Sequence, residues 1–178
     1  MEKIPQNIDF QLQFDRKDIP YWSQRYPIKD DFQVEEMIAP RVRMFGYYTK
    51  PEFLVMCRWK SPRSKPKVES NDEEFVKEVT QIALSTKQEK LRIKILTLLS
   101  GVSWPTASVL LHYGYDNLYP ILDVRALGSL GVDAMSVVYN FELWWNYTMF
   151  CRELAKETNV TLRNLDRALW QFSKENDQ

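Results

Sequence analysis

The sequence predicts an all-α protein of about eight helices joined by short connections. Three observations predict this class. Apolar residues recur at helical spacing in several long segments, most clearly in residues 71–84, 140–159 and 161–176. Ser, Thr, Asn or Asp stands at the start of many of these segments, as is typical of helix N-caps. Alternation of apolar and polar residues, the pattern of a half-buried strand, is not visible along the sequence.

The composition is that of a folded protein with no overall charge bias. Hydrophobic residues make up 44% of the 178 positions, enough for a buried core. The 24 basic and 24 acidic residues cancel, whereas strong nonspecific nucleic-acid binders are usually basic overall. A local basic patch remains compatible with this balance. The apolar runs are shorter than a membrane span and the first residues lack a signal pattern, so we expect no membrane association and a cytoplasmic location.

Few residue types that support redox, metal or triad chemistry are present. Cys57 and Cys151 lie far apart in apolar, helix-like segments, which predicts two reduced and buried thiols. His112 is the single histidine, which argues against a histidine-based metal site or a Ser-His-Asp triad. We therefore expect neither a metal nor a cofactor.

The domain organisation predicted from the sequence is an N-terminal arm followed by one domain. Residues 1–30 are polar and aromatic, contain prolines and lack periodicity, which indicates an extended arm. Residues 31–178 are expected to form a single all-α domain. Its first helix, over 30–46, is expected to be interrupted or to end near Pro40.

Residues 58–71 contain two prolines, three serines and five basic residues, which is the composition of a linker. Basic residues around Trp59 suit a nucleic-acid groove, and Arg58, Lys60 and Arg63 are candidate DNA contacts. The alternative is a mobile, solvated loop.

Two apolar helices are predicted to meet at the corner Ser-Gly-Val-Ser-Trp-Pro-Thr-Ala, residues 100–107. Gly101 can adopt a positive φ at the end of the first helix without a Cβ clash. Val102 is a small apolar residue that can pack between the two helices, and Thr106 lies in the first turn of the second helix. The free N–H groups of that turn form a local anion site, for which a phosphate is the natural occupant. An ordinary tight turn would have a similar sequence.

Asp123 precedes a short predicted helix, Val-Arg-Ala-Leu-Gly-Ser-Leu-Gly. Asp is a favoured N-cap, so structural capping is a sufficient explanation for this residue. In the last helix, Asp166 can pair with Arg163 at a spacing of three residues, which also favours a structural role.

The corner and the aspartate together resemble the helix-hairpin-helix superfamily of base-excision DNA glycosylases, of the endonuclease III and 3-methyladenine glycosylase type. The hairpin of that family reads approximately Leu-Pro-Gly-Val-Gly-x-x-Thr-Ala, followed by a catalytic Asp at a helix start. The resemblance covers about residues 86–131, with the hairpin near 86–113, and is only architectural elsewhere. The positions that match the hairpin motif are Leu99, Gly101, Val102, Thr106 and Ala107.

The resemblance implies a helix-hairpin-helix DNA glycosylase-like fold, with Asp123 as the catalytic carboxylate and duplex DNA as the partner of a monomer. The residues implied to bind the DNA backbone are Gly101, Val102, Ser103 and Thr106. Pro105 stands where bifunctional members have Lys, 18 residues before Asp123, so the implied enzyme is a monofunctional hydrolase in base-excision repair. Ser103 replaces the second glycine of the motif and would tolerate a positive φ less well.

Two further residues and two alternative functions belong to this interpretation. Trp104 could wedge or stack near a lesion, and Arg125 could reach a phosphate, although a solvated surface Arg is also consistent with its position. The alternatives to an enzyme are a non-catalytic helix-hairpin-helix protein that binds DNA and an interaction protein that kept the fold without activity. A DNA-binding protein of this kind would be associated with the nucleoid.

Overall fold

The structure, a computed structural model, describes residues 8–28 and 31–176, in which ten α-helices and no strand occur. The predicted all-α class is therefore confirmed. The count exceeds about eight because α1 and α4 are short helices in proline-containing segments without apolar periodicity. In chain order the helices are α1 (Ile19–Gln24), α2 (Ala39–Phe45), α3 (Lys50–Lys60), α4 (Lys65–Glu69), α5 (Glu73–Ser85), α6 (Glu89–Leu96), α7 (Trp104–Gly114), α8 (Val124–Ser129), α9 (Phe141–Glu157) and α10 (Leu162–Asn176).

The described chain groups into two compact units. Unit 1 combines the N-terminal residues 8–26 with residues 120–176, and unit 2 comprises the intervening residues from Pro27 to Tyr119. The sequence-based division into an arm and one domain stays a prediction, and residues 1–7, 29–30 and 177–178 of it lie outside the described part. Within the described ranges, no helix is both long and apolar enough to cross a membrane.

Unit 1 is built around α9 and α10, with the N-terminal segment bound along it. The backbone N–H groups of Gln11 and Gln13 donate to the carbonyls of Leu130 and Ser129, both at 3.0 Å, which holds this stretch against the end of α8. The following residues, Ile19–Gln24, form helix α1 and are not extended. The helix accommodates Pro20 because this proline lies in its first turn. Helix α1 packs on α10, and the seryl hydroxyl of Ser129 ties α8 to α10 by donating to the carbonyl of Leu169 at 2.5 Å.

Unit 2 contains α2 to α7, and its first helical segment continues through Pro40. A π-helical stretch, Gln33–Ile38, leads directly into α2, whose first turn accommodates the proline. The predicted interruption is therefore a change of helix type. Helix α3 begins with a capping box, in which the Thr49 N–H donates to the Glu52 carboxylate at 2.9 Å.

The basic segment, defined here as residues 58–67, is not a linker. A 3₁₀ turn at Pro62–Ser64 leads into α4, and Val68 on α4 is buried. The linker prediction was wrong because both prolines occupy first turns of helical segments, where a missing N–H has no cost. Trp59 is likewise held inside unit 2, because its indole N–H donates to the Asp31 carboxylate at 3.2 Å.

Both cysteine thiols are free and buried, as predicted, and we expect them to be unreactive in the folded protein. Burial raises the pKa of the Cys57 thiol to about 12 and holds the pKa of the Cys151 thiol well above its usual range. A thiol-specific reagent such as Ellman's reagent at pH 8 should label neither cysteine before denaturation and both afterwards. Rapid labelling of the native protein would contradict the buried placement.

The same thiols contribute to the pH dependence of stability. Above a pH of about 9, the thiols ionise in the unfolded chain but stay protonated in the folded one. The folded state then binds more protons, so the free energy of unfolding contributed by Cys57 falls as the pH rises from about 9 to about 12.

Candidate nucleic-acid interface

The corner between α6 and α7 is a tight turn with one left-handed residue. Gly101 has φ +80°, a conformation in which a Cβ would be strained. Val102 follows it, is buried, and donates its N–H to the Leu99 carbonyl at 3.0 Å. The geometry is that of two helices joined by a hairpin, with the glycine at the position that the sequence predicts.

Ser103, which stands at the second glycine position of the family motif, does not have a positive φ. Its φ is −96° and its ψ 174°, an extended conformation, and it is the N-cap residue of α7. The replacement of the second glycine by serine therefore carries no backbone strain, because the left-handed residue of the hairpin is Gly101. The Ser103 hydroxyl lies 3.4 Å from that of Thr106, which is buried in the first turn of α7.

Three backbone N–H groups of the hairpin remain available to a ligand. Within the described part of the chain, the N–H groups of Gly101, Ser103 and Trp104 donate to no acceptor. Helix α7 has 11 residues, and its N-terminus carries the positive end of the helix dipole. This arrangement suits an anion such as a phosphate.

The hairpin rests directly on α4. A Cβ at Gly101 would lie 2.8 Å from the Cγ1 atom of Val68 and 3.1 Å from its backbone nitrogen. It would also lie 3.0 Å from the Cβ of Lys67, so this exposed lysine leaves the backbone beside the turn. The glycine is therefore required twice, for its φ and for the close approach of α4.

Asn71 joins the same two segments by hydrogen bonds. Its side-chain amide accepts from the Ser100 N–H at 2.7 Å and donates to the Ser100 carbonyl at 3.0 Å. The same amide nitrogen donates to the Val68 carbonyl at 2.9 Å, and the residue is buried. One side chain thus fixes the hairpin to the end of α4.

Replacing Asn71 by alanine is expected to lower the free energy of unfolding by about 2–3 kcal/mol, because the part-buried main-chain groups of Ser100 and the buried carbonyl of Val68 lose their partner. Ser70→Ala is the matched control, since its exposed hydroxyl makes one bond to the Lys67 carbonyl, and it should change stability by less than about 0.5 kcal/mol. Urea denaturation measures both variants. Equal stability of the two would show that the Asn71 bonds contribute nothing.

The basic segment belongs to the same unit as the hairpin. Arg58 and Arg63 are exposed, and Lys60 is half-buried at the end of α3. On α4, Lys65 forms an exposed ion pair with Glu69 at 3.8 Å. DNA contact by Arg58, Lys60 and Arg63 stays a prediction, and the structure adds Lys67 as the basic residue whose backbone adjoins the turn.

Asp123, in unit 1, is the N-cap of α8. Its Oδ1 atom accepts from the Arg125 N–H at 2.8 Å, and the residue is half-buried. The capping role expected from the sequence is therefore present. The bond is made through Oδ1, and each of the two oxygens of a carboxylate can accept more than one hydrogen bond. The catalytic role stays a prediction.

Two phenols that the sequence did not single out as functional lie in the electrostatic environment of Asp123. Burial, and then the negative charge of Asp123, raise the pKa of Tyr139. Burial raises the pKa of Tyr147 well above its usual range, and its hydroxyl donates to the Ile121 carbonyl at 2.9 Å. Both phenols are therefore neutral near pH 7. No local spacing in the sequence indicates that Tyr139 lies near a carboxylate 16 positions earlier.

Three other sequence-predicted residues have defined surroundings. Trp104 is half-buried at the first position of α7. The Arg125 guanidinium lies 5.6 Å from the centroid of the Trp170 ring, so it is not simply solvated. His112 is buried, with its Nδ1 atom 2.7 Å from the Tyr119 carbonyl, which fits a packing role.

The fold is that of the helix-hairpin-helix DNA glycosylases. Among solved structures, the chain is similar to the 8-oxoguanine glycosylase/lyase of Methanocaldococcus jannaschii in complex with a 15mer DNA containing 8-oxoguanine. The TM-score is 0.51 and the identity 17%, with 90% of this chain and 81% of that one covered. No family model and no curated protein matches the sequence. At this identity the similarity defines the fold alone.

Proposed function

We propose that the chain binds duplex DNA through its hairpin and excises a modified base as a monofunctional DNA N-glycosylase in base-excision repair. The observation that carries the proposal is the hairpin, with a left-handed Gly101 and unsatisfied N–H groups at the start of α7. The likeness in fold to a glycosylase/lyase bound to DNA supports it. Asp123 supplies the carboxylate that the chemistry needs.

DNA binding would rely on main-chain donors and a few side-chain cations. A phosphate at the hairpin would accept from the N–H groups of Gly101, Ser103 and Trp104. Lys67, beside the turn, would add a cation that is attracted to the same phosphate or its neighbour. This is a small footprint, which fits a chain with no net charge.

Base excision would proceed by hydrolysis at the sugar. The C1′–N bond breaks, its electron pair leaves with the base, and positive charge develops on the sugar. The Asp123 carboxylate would stabilise this charge and take a proton from the water whose oxygen bonds to C1′. The departing base takes up a proton, so the products are a free base and an abasic site. The nucleotide must first leave the base stack.

Lyase chemistry through a lysine is not part of the proposal. Such chemistry needs an amine that forms a Schiff base with the sugar carbon. Pro105 occupies the position at which the family resemblance places that lysine, and its ring nitrogen is bound in the backbone amide. The chain is therefore expected to leave the DNA strand intact after base release.

The test is a panel of duplexes with alkylated, deaminated or oxidised bases, including 8-oxoguanine. Mass spectrometry of the released base, together with strand cleavage before and after alkali, gives the readout. We expect release from at least one duplex, with cleavage only after alkali. No release from any duplex by stoichiometric protein would overturn the enzymatic proposal.

The second candidate is a DNA-binding protein without catalysis. It is favoured by the capping bond of Asp123, which gives this carboxylate a structural role in α8. This candidate predicts salt-sensitive binding to duplex DNA that depends on the hairpin, without release of a base.

A further inference from the structure

Two cations of the basic segment, Arg63 and Lys67, have no partner in the part of the chain that the structure describes. Both side chains are exposed. Neither of them forms a hydrogen bond, an ion pair or an aromatic contact with another described residue. A charged side chain that the fold itself does not engage is available to a ligand of the opposite charge, such as a polyanion.

The other two lysines of the basic segment are engaged by the protein. The Lys65 ammonium lies 3.8 Å from the Glu69 carboxylate in an exposed ion pair. Such a pair contributes little to stability, but its two charges largely cancel for a polyanion at a distance. Lys60 is half-buried at the end of α3, where it interacts with other residues. Neither lysine therefore offers its full charge to a ligand.

Lys65 and Lys67 lie on opposite sides of α4. Positions two residues apart are separated by a rotation of about 200° on an α-helix, whereas positions four apart share a side. Glu69 is therefore on the side of Lys65. The 3₁₀ turn at Pro62–Ser64 leads directly into α4, so Arg63 precedes Lys67 by about one turn and shares the side of Lys67.

The side of α4 that carries Lys67 adjoins the hairpin. A Cβ on Gly101 would lie 3.0 Å from the Cβ of Lys67, and Asn71 bonds to both main-chain groups of Ser100. The hairpin and α4 are thus held together by packing and by hydrogen bonds. The Lys67 side chain consequently starts from a fixed position beside the free N–H groups of the hairpin, and Arg63 starts about 6 Å further along the helical run.

The two cations add to a site that is already positive. The N-terminus of α7, at the hairpin, carries the positive end of a helix dipole. The acids that follow in sequence belong to the start of α5, where Asp72 is engaged as the N-cap and accepts from the N–H groups of Glu74 and Phe75. Arginine binds phosphate through its planar fork and lysine binds it as a point charge, so Arg63 and Lys67 are both suited to this ligand.

We propose that Arg63 and Lys67 bind the phosphates that follow, along one DNA strand, the phosphate held by the hairpin N–H groups. The proposal rests on the proposed function and deepens it, because it assigns the contact to one side of α4 and to two of the five cations of the basic segment. These contacts are electrostatic and independent of base sequence, so they position the strand without selecting the lesion.

The experiment measures the salt dependence of DNA binding by the full chain. Fluorescence anisotropy gives the affinity for a duplex that contains a stable abasic-site analogue, between about 50 and about 200 mM KCl. Each lost phosphate contact reduces the magnitude of the slope of log K against log salt by about 0.9. Lys67→Gln and Arg63→Gln should therefore each lose about 0.9, and the double variant about 1.8, which is about 60-fold weaker binding at about 100 mM if the affinities converge near 1 M.

Lys65→Gln is the matched control. It removes the same charge from the same short helix, but from the opposite side, and its slope should equal that of the wild type. All three side chains are exposed, so the variants should fold normally. Lys67→Arg keeps the charge and should keep the wild-type slope. Slopes of Arg63→Gln and Lys67→Gln that equal the slope of Lys65→Gln would overturn the proposal.

The failure of this proposal is distinguishable from the failure of the proposed function. If the wild-type chain shows no salt-dependent binding to the duplex, both fail, and this is seen before any variant is measured. If wild-type binding is present and the variants of Arg63 and Lys67 behave as Lys65→Gln does, DNA binding stands and this side of α4 does not take part in it.

Discussion

Gly101→Ala is expected to lower the free energy of unfolding by about 2–5 kcal/mol and to abolish hairpin-dependent DNA binding. The positive φ of +80° alone costs a residue with a Cβ about 1–2 kcal/mol. The added methyl group would lie 2.8 Å from the Cγ1 atom of Val68 and 3.1 Å from the Val68 backbone nitrogen. Overpacking of this kind adds about 1–3 kcal/mol and would separate the hairpin from α4.

Gly46→Ala provides the matched control for this substitution. Gly46 lies in the same unit with φ +75°, and a Cβ there would meet nothing within 4 Å. The variant should show the backbone strain alone, about 1–2 kcal/mol, and bind DNA as the wild type does. Urea denaturation and anisotropy measure the two effects. If Gly101→Ala is no less stable than Gly46→Ala, the packing of the hairpin on α4 is not restrictive.

Asp123→Asn is expected to reduce base release by a factor of about 10²–10⁴ while leaving stability almost unchanged. Asparagine lacks the negative charge that a developing oxocarbenium needs and cannot accept the proton of water. It is, however, as good an N-cap as aspartate, so α8 should be retained. The measurement is single-turnover release of the base from the duplex that the wild-type protein cleaves.

Asp123→Ala separates the two roles of this residue. It loses both the carboxylate and the capping bond to the Arg125 N–H, so it should be as inactive as Asp123→Asn and less stable by about 1 kcal/mol. Base release that survives in Asp123→Asn but is lost in Asp123→Ala would show that the residue acts only as a cap.

The parts of the structure that follow from local sequence were predictable. The capping box at Thr49 and Glu52 depends on residues three positions apart, and it is present. The left-handed turn at Gly101 depends on the absence of a side chain, and it is also present. The long helices are predicted by helical periodicity, which is also a local property because it depends on residues three or four positions apart.

The remaining features depend on contacts between residues distant in sequence. The bonds between Asn71 and Ser100 join positions 29 residues apart, and no local pattern indicates them. The prolines and charges of the basic segment predict a linker, because composition does not report that the adjoining Val68 is buried and anchors the segment. The relation between Tyr139 and Asp123 likewise arises from tertiary structure.

The support that the hairpin receives from α4 has a consequence for protein engineering. The motif over 86–113 carries the left-handed glycine and the free N–H groups. Val68, against which the glycine packs, and Asn71, which bonds to the main chain of Ser100, both lie outside it. A peptide or a graft that contains only the motif would lack both. The hairpin therefore cannot be transferred by itself, and the smallest transferable element includes α4 and the asparagine that follows it.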